Sequence, residues 1–153
     1  MTIMVDHPSL LVSAPGEASL GALEEELAPH GLTLGVYVDA QTTVRGWIDA
    51  GLPGAHSVFA DPADHVLAGF EATLVNDDKL VVRPCPRRAV GPDLAALVLG
   101  AHGRFARVDR AWLRVHRKDA RRVALPVPDV DLDPPLGEDE SRLLDAIATE
   151  LGA

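Results

Sequence analysis

Apolar residues recur along this 153-residue chain at two different periods, and each period predicts a different element. Residues 9–15 (SLLVSAP) form a short apolar run that stops at Pro15-Gly16 and predicts a strand. Leu20, Leu23 and Leu27 then recur at helical spacing, with Ser19 or Glu17 near the start, and Gly31 marks the stop. Residues 32–38 read as extended. Thr43 to Ala50 predict a short helix with Thr42 or Thr43 as its cap, ended by Gly51, Pro53 and Gly54.

The two-residue period is clearest at 66–75, where Val66, Ala68, Phe70, Ala72 and Leu74 share one face and Gly69, Glu71 and Thr73 the other. Asn76 to Lys79 predict a turn, and Leu80 to Arg83 a returning strand, so this stretch is read as a hairpin. Pro92 to Leu99 predict a helix burying Leu94, Leu97 and Val98. Val108 to His116 predict a strand with Ala111, Leu113 and Val115 inward and Arg110, Trp112, Arg114 and His116 outward. A Pro- and Asp-rich linker, 126–137, precedes a helix from about Glu138 to Leu151 whose apolar stripe is Leu143, Leu144, Ile147 and Leu151. Strands interleaved with helices and joined by a hairpin predict an α+β fold, an antiparallel sheet flanked by helices, rather than a doubly wound sheet. The expected organisation is one domain over 1–125, the linker, and a C-terminal helix over 138–153.

Composition changes this picture in two places. Aromatics are only 4% of a chain that is 47% apolar, so Ala, Val and Leu must build the core. The single cysteine, Cys85, excludes an internal disulfide. No stretch approaches the roughly 20 apolar residues that span a bilayer, and none has the form of a signal peptide, so the expected location is cytoplasmic.

The net charge of -9 hides a segregation. Residues 81–122 carry eleven of the fourteen Lys and Arg with only Asp93, Asp109 and Asp119 among them, a net of +8 against -17 elsewhere. Such a segment suits an anionic ligand or an acidic partner, or it is covered by the chain's own acidic ends. Trp112 among the arginines invites a nucleic-acid reading, which the acidic total and the lack of a binding module argue against.

Chemistry-bearing patterns are few. His7, His30, His56, His65, His102 and His116 show no ligand spacing, and DPADH at 61–65 fits a capping turn better than a metal cluster. Cys85 has no accompanying base or second thiol, so no catalytic residue and no metal ligand is assigned.

Three collinear stretches carry a resemblance: residues 12–34 (VSAPGEASLGALEEELAPHGLTL), residues 42–55 (TTVRGWIDAGLPGA) and residues 87–115 (RRAVGPDLAALVLGAHGRFARVDRAWLRV). Their order resembles the second half of the FAD-binding domain of FAD-linked oxidases, the vanillyl-alcohol-oxidase or PCMH-type fold. The most similar branch is that of alkyl-dihydroxyacetonephosphate synthase, glycolate oxidase and D-lactate dehydrogenase. The resemblance covers about residues 9–117. It implies an FAD subdomain without the preceding pyrophosphate-gripping subdomain or the following substrate cap.

The resemblance implies cofactor-binding positions at Thr42, Thr43, Arg45, Gly46, Gly54, His102, Gly103 and Val108. Arg45 stands where the family has a glycine. Its guanidinium there either obstructs the cofactor or pairs with a phosphate. His102 and Arg104 stand where the family has an acid and a threonine. The implied function is therefore that of a subunit of a split, FAD-linked oxidoreductase, or alternatively a non-enzymatic interaction module whose vacated cleft takes a partner. The expected partners are a second copy of the chain or a second flavoprotein subunit, with no membrane.

Overall fold

The computed structural model describes residues 2–36, 39–55, 65–84, 93–119 and 137–151. A five-stranded antiparallel sheet organises it. In chain order its strands are β1 (Met4–Asp6), β2 (Leu11–Pro15), β4 (Leu67–Leu74), β5 (Lys79–Val82) and β6 (Ala106–Arg114), arranged β1-β2-β6-β4-β5. Two-residue strands β3 (Leu32–Thr33) and β7 (His116–Arg117) pair separately. The fold is α+β with an antiparallel sheet and helices, as the periodicities predict.

The helices start where side chains satisfy their first free amides. Helix α1 (Leu20–Leu27) is capped by Ser19, whose Oγ accepts from Ala22 N at 3.1 Å. Helix α2 (Val44–Asp49) is capped by Thr43, whose Oγ1 accepts from Gly46 N at 3.1 Å. Leu20, Leu23 and Leu27 of α1 and Val44, Trp47 and Ile48 of α2 share one core with Val12, Phe70, Val108 and Leu113 of the sheet. Both helices therefore cover the same sheet face. Burying six large side chains at about 1.5–3 kcal/mol each makes this layer the main source of stability.

Two bulges shape the sheet. Pairing passes from Leu67↔Leu113 to Gly69↔Trp112, and from Glu71↔Arg110 to Ala72↔Val108, so Ala68 and Asp109 are extra residues in their strands. The bulge at Asp109 reverses the phase of burial along β6. Ala106 and Val108 point inward before it, Ala111 and Leu113 after it. The bulge at Ala68 likewise puts Leu67, rather than Ala68, into the core cluster.

Several sequence expectations are corrected. The third helix is a single 3₁₀ turn, Leu94–Leu97, which buries Ala95; Val98 is buried beyond it, while Leu94 and Leu97 are only half-buried. Asp93 Oδ1 caps it by accepting from Ala95 N at 3.1 Å. The strand expected at 108–116 begins two residues earlier and is split, with β7 peeling off to pair β3. Of the extended piece expected at 32–38, the described residues 32–36 are strand only at Leu32–Thr33. Strand β1 carries no legible pattern.

Helix α3 (Glu138–Glu150) is present, and Gly137 N donates to Glu140 Oε2 at its start. Leu144, Ile147 and Leu151 are half-buried, but Leu143 is 61% exposed and lies off the stripe. Pro92, Cys85, the DPAD part of the capping turn and linker residues 126–136 lie outside the described residues. Among the described residues, no helix is long and apolar enough to cross a membrane.

Candidate functional site

Three segments distant in sequence are stitched together beside the start of α2. The Pro15-Gly16 turn ends β2, and Gly16 N donates to Asp109 O at 2.8 Å. Arg45 N donates to Gly16 O at 2.8 Å, and its Nε donates to Val108 O at 2.9 Å. Its Nη1 ion-pairs with Glu17 Oε1 at 2.5 Å. The packing leaves no room for a side chain at position 16, where a Cβ would lie 2.3 Å from Val108 O. Arg45 therefore works as a strap that holds the β6 main chain to the 15–17 turn.

The N-terminal ends of the two helices are also joined. Leu20 N donates to Thr42 O at 2.9 Å and Val44 N to Ala18 O at 2.8 Å, beside an isolated bridge between Ser19 and Thr43. At the other end of α2, Gly100 N donates to Ile48 O and His102 N to Asp49 O, each at 3.2 Å. His102 is exposed with φ 49°, followed by Gly103 at φ 73°. A non-glycine residue in the left-handed region is strained, and here main-chain contact to α2 holds it. Trp47 Nε1 donates to Pro53 O at 2.9 Å, fixing the turn that contains Gly54 (φ 78°).

The structure thus sorts the eight positions. Thr42, Thr43, Arg45, Gly46 and Val108 gather at the start of α2. His102 and Gly103 gather at its end, and Gly54 sits in the turn beyond. Sequence reasoning missed Asp49, the last residue of α2, whose Oδ1 is buried without a hydrogen-bond partner. Burial pushes its carboxyl pKa up, and the charges of Arg45 and His102 offset this only in part.

An open groove of about 640 Å³ runs from Arg45 across the sheet face turned away from the helices. Glu17, Arg45, Glu71, Lys79, Arg107 and Asp109 supply its charges, three of each sign. Asp109 is the hub. Thr73 Oγ1 donates to its Oδ2 at 2.6 Å, Lys79 Nζ lies 3.2 Å from the same oxygen, and Arg107 Nε lies 3.3 Å from Oδ1. Desolvation pushes the Asp109 carboxyl up. The hydrogen bonds from Thr73 and Lys79, with the charges of Lys79 and Arg107, outweigh it and carry the pKa below the usual range. Sequence reasoning also missed this cluster; the signal was an acid set between two arginines at 107 and 110.

Within residues 81–122, Arg107 pairs with Asp109, an acid already counted in the net of +8, and Arg104 lies 3.8 Å from Asp145 of α3. Among the described residues, no group of His, Cys, Asp and Glu could hold a metal ion.

A five-stranded antiparallel sheet with two short capped helices on one face, tied at the turn after β2, makes up the α+β fold of this chain. The fold is similar to part of alkyldihydroxyacetonephosphate synthase, solved in crystal forms P212121 and P1, with TM-scores of 0.61 and 0.60 and 21% identity. The matches cover 74% of this chain and 20% and 21% of those chains, so this chain spans about a fifth of their length. At that identity the likeness establishes the fold. No protein-family model and no curated protein matches the sequence.

Proposed function

We propose that this chain keeps the scaffold of an FAD-binding subdomain and acts by associating with another polypeptide, without gripping FAD in its own loops. The observation that carries this reading is Arg45. The resemblance puts a glycine there, where the cofactor comes close. In this chain position 45 carries a guanidinium held by Val108 O and Glu17. Of the two roles open to Arg45 in the sequence, this supports obstruction over phosphate pairing.

A fit test on the main chain points the same way. A loop that cradles a nucleotide offers free N–H groups. Those of Val44, Arg45, Gly46, Gly100, His102 and Arg104 already donate, to Ala18 O, Gly16 O, Thr43 Oγ1, Ile48 O, Asp49 O and Ala101 O. These six occupied amides support the reading that these loops do not grip FAD by themselves.

The test is thermal unfolding and absorbance with and without added FAD. A ligand at a hundred times its Kd stabilises by about 2.7 kcal/mol, a shift of several degrees for a domain of this size. We expect a colourless protein and no shift. Saturable FAD binding by the isolated chain overturns the reading. One observation favours a second reading, in which a second polypeptide completes a shared flavin site: the groove beside Arg45 is open enough to admit a ligand. That reading predicts that FAD stabilises the complex with such a polypeptide while leaving the isolated chain unchanged.

A further inference from the structure

Helix α3 is held far more loosely than α1 and α2. None of its residues is buried, and none of its apolar residues joins the core cluster or packs against it. Among the described residues its one ion pair to another element joins Asp145 to Arg104 at 3.8 Å, and exposed pairs of this kind contribute little. Leu143 lies two positions from Asp145, about 200° around the helix, so this tie leaves the Leu143 side open. That side is a ridge of four exposed residues, Asp139, Leu143, Ala146 and Glu150, spaced i, i+4, i+7 and i+11. Five acids against one arginine give α3 a net charge of -4, so two copies of the helix repel each other. Arg142 alone answers the first-turn acids. Glu150 has no partner among the described residues, and it sits in the last turn, where the dipole disfavours an acid and the helix supplies no base.

The sheet face turned away from α1 and α2 carries the opposite pattern. Trp112 pairs with Gly69, while Arg110 and Val81 pair with the two sides of Glu71. Trp112 and Val81 therefore stand at two corners of one patch, with Arg110 and exposed Arg83, two residues beyond Val81, at the others. Val81 is 55% exposed and Trp112 is half-buried. Arg110 donates to two neutral oxygens, Ser13 Oγ at 2.7 Å and Thr2 O at 3.4 Å, and Arg83 has no partner among the described residues. Glu71 is the single acid of the patch and ion-pairs with neither arginine, which leaves the patch at +1. The chain thus carries an unmatched acid, Glu150, and an unmatched base, Arg83, on separate surfaces.

We propose that two copies of this chain pair reciprocally, the ridge of each α3 lying across the Trp112 and Val81 patch of the other. Leu143 and Ala146 then cover Trp112 and Val81, Glu150 meets Arg83, and the first-turn acids meet Arg110. The lengths agree: Asp139 and Glu150 are about 16 Å apart along the helix, against about 12 Å between Arg110 and Arg83, and arginine side chains span the difference. Such a pair closes at two copies, because each supplies one helix and one face. The tie of Asp145 to Arg104 survives in it, on the far side of α3. The inference is independent of whether FAD is bound.

Sedimentation velocity of the full chain at about 10 and 200 µM tests it. We expect a dimer at the higher concentration that weakens as salt is added. Leu143→Glu and Arg83→Glu each change an exposed side chain, so the fold is kept, and each alters both contacts of the dimer. Either should raise the dissociation constant at least about tenfold. Adding Glu150→Arg to Arg83→Glu should bring it back to within about threefold of the native value. A monomer at both concentrations overturns the proposal. So does a dimer indifferent to Leu143→Glu or to Arg83→Glu, which would place the contact on other surfaces.

Discussion

At its start α2 is tied on every side: Thr43 caps it, Arg45 is strapped to Val108 and Glu17, and Gly16 fits with no space to spare. At its end Asp49 holds a buried oxygen with no partner, against a loop that includes a strained His102. The contrast extends to the two aspartates nearby. Asp109, on the strand beside the start, is surrounded by donors and its pKa falls; Asp49, at the negative end of a helix dipole, lacks them and its pKa rises. One end of the helix is built for rigidity and the other retains an unmet electrostatic demand. The same core supports both, so the difference lies in the polar groups and not in packing.

The strongest way to break the contrast is Gly16→Ala, which drives a Cβ into the Val108 carbonyl. Since both groups are main chain, we expect a loss of about 3 kcal/mol in urea unfolding. Arg45→Met removes the strap but keeps the stem, and should cost about 1–2 kcal/mol, mostly through the Val108 carbonyl bond. Thr43→Ala should cost about 1 kcal/mol through the lost cap.

The smallest effects, and the sharpest, are in pH dependence. Asp109 contributes stability above its ordinary pKa of 3.8 that is lost as pH falls through its lower folded value. Asp109→Asn should therefore be less stable than the native chain at neutral pH, with the gap closing in acid. Asp49 behaves oppositely: stability present below 3.8 is lost as pH rises through its raised folded value. Asp49→Asn should match the native chain in acid and exceed it at neutral pH. Thermal unfolding from acid to neutral pH checks both. If the two variants moved in the same direction, the contrast between the ends would be refuted.

Much of the fold was legible because its signals are local. Ser19 and Thr43 lie within a few residues of the amides they cap, and the Asn76–Asp78 turn lies between two strands that pair directly. Bulges are not local signals. Val108 falls on the outward parity of a strict alternation from 108 to 116, yet it is fully buried because Asp109 is an extra residue. The same holds for the candidate site. That Arg45 replaces a glycine is visible in sequence, but the destination of its guanidinium is a carbonyl 63 positions away. The Asp109 hub depends on Thr73 and Lys79 arriving from two other strands, which spacing along the chain cannot show.

The strap at Arg45 also bears on the order of assembly. A bond across 63 residues can form only after the intervening hairpin and helices have brought β6 alongside β2, because closing so long a loop early costs entropy that one hydrogen bond cannot offset. Arg45 is thus a latch that closes on a sheet already formed. Its loss should speed unfolding far more than it slows folding.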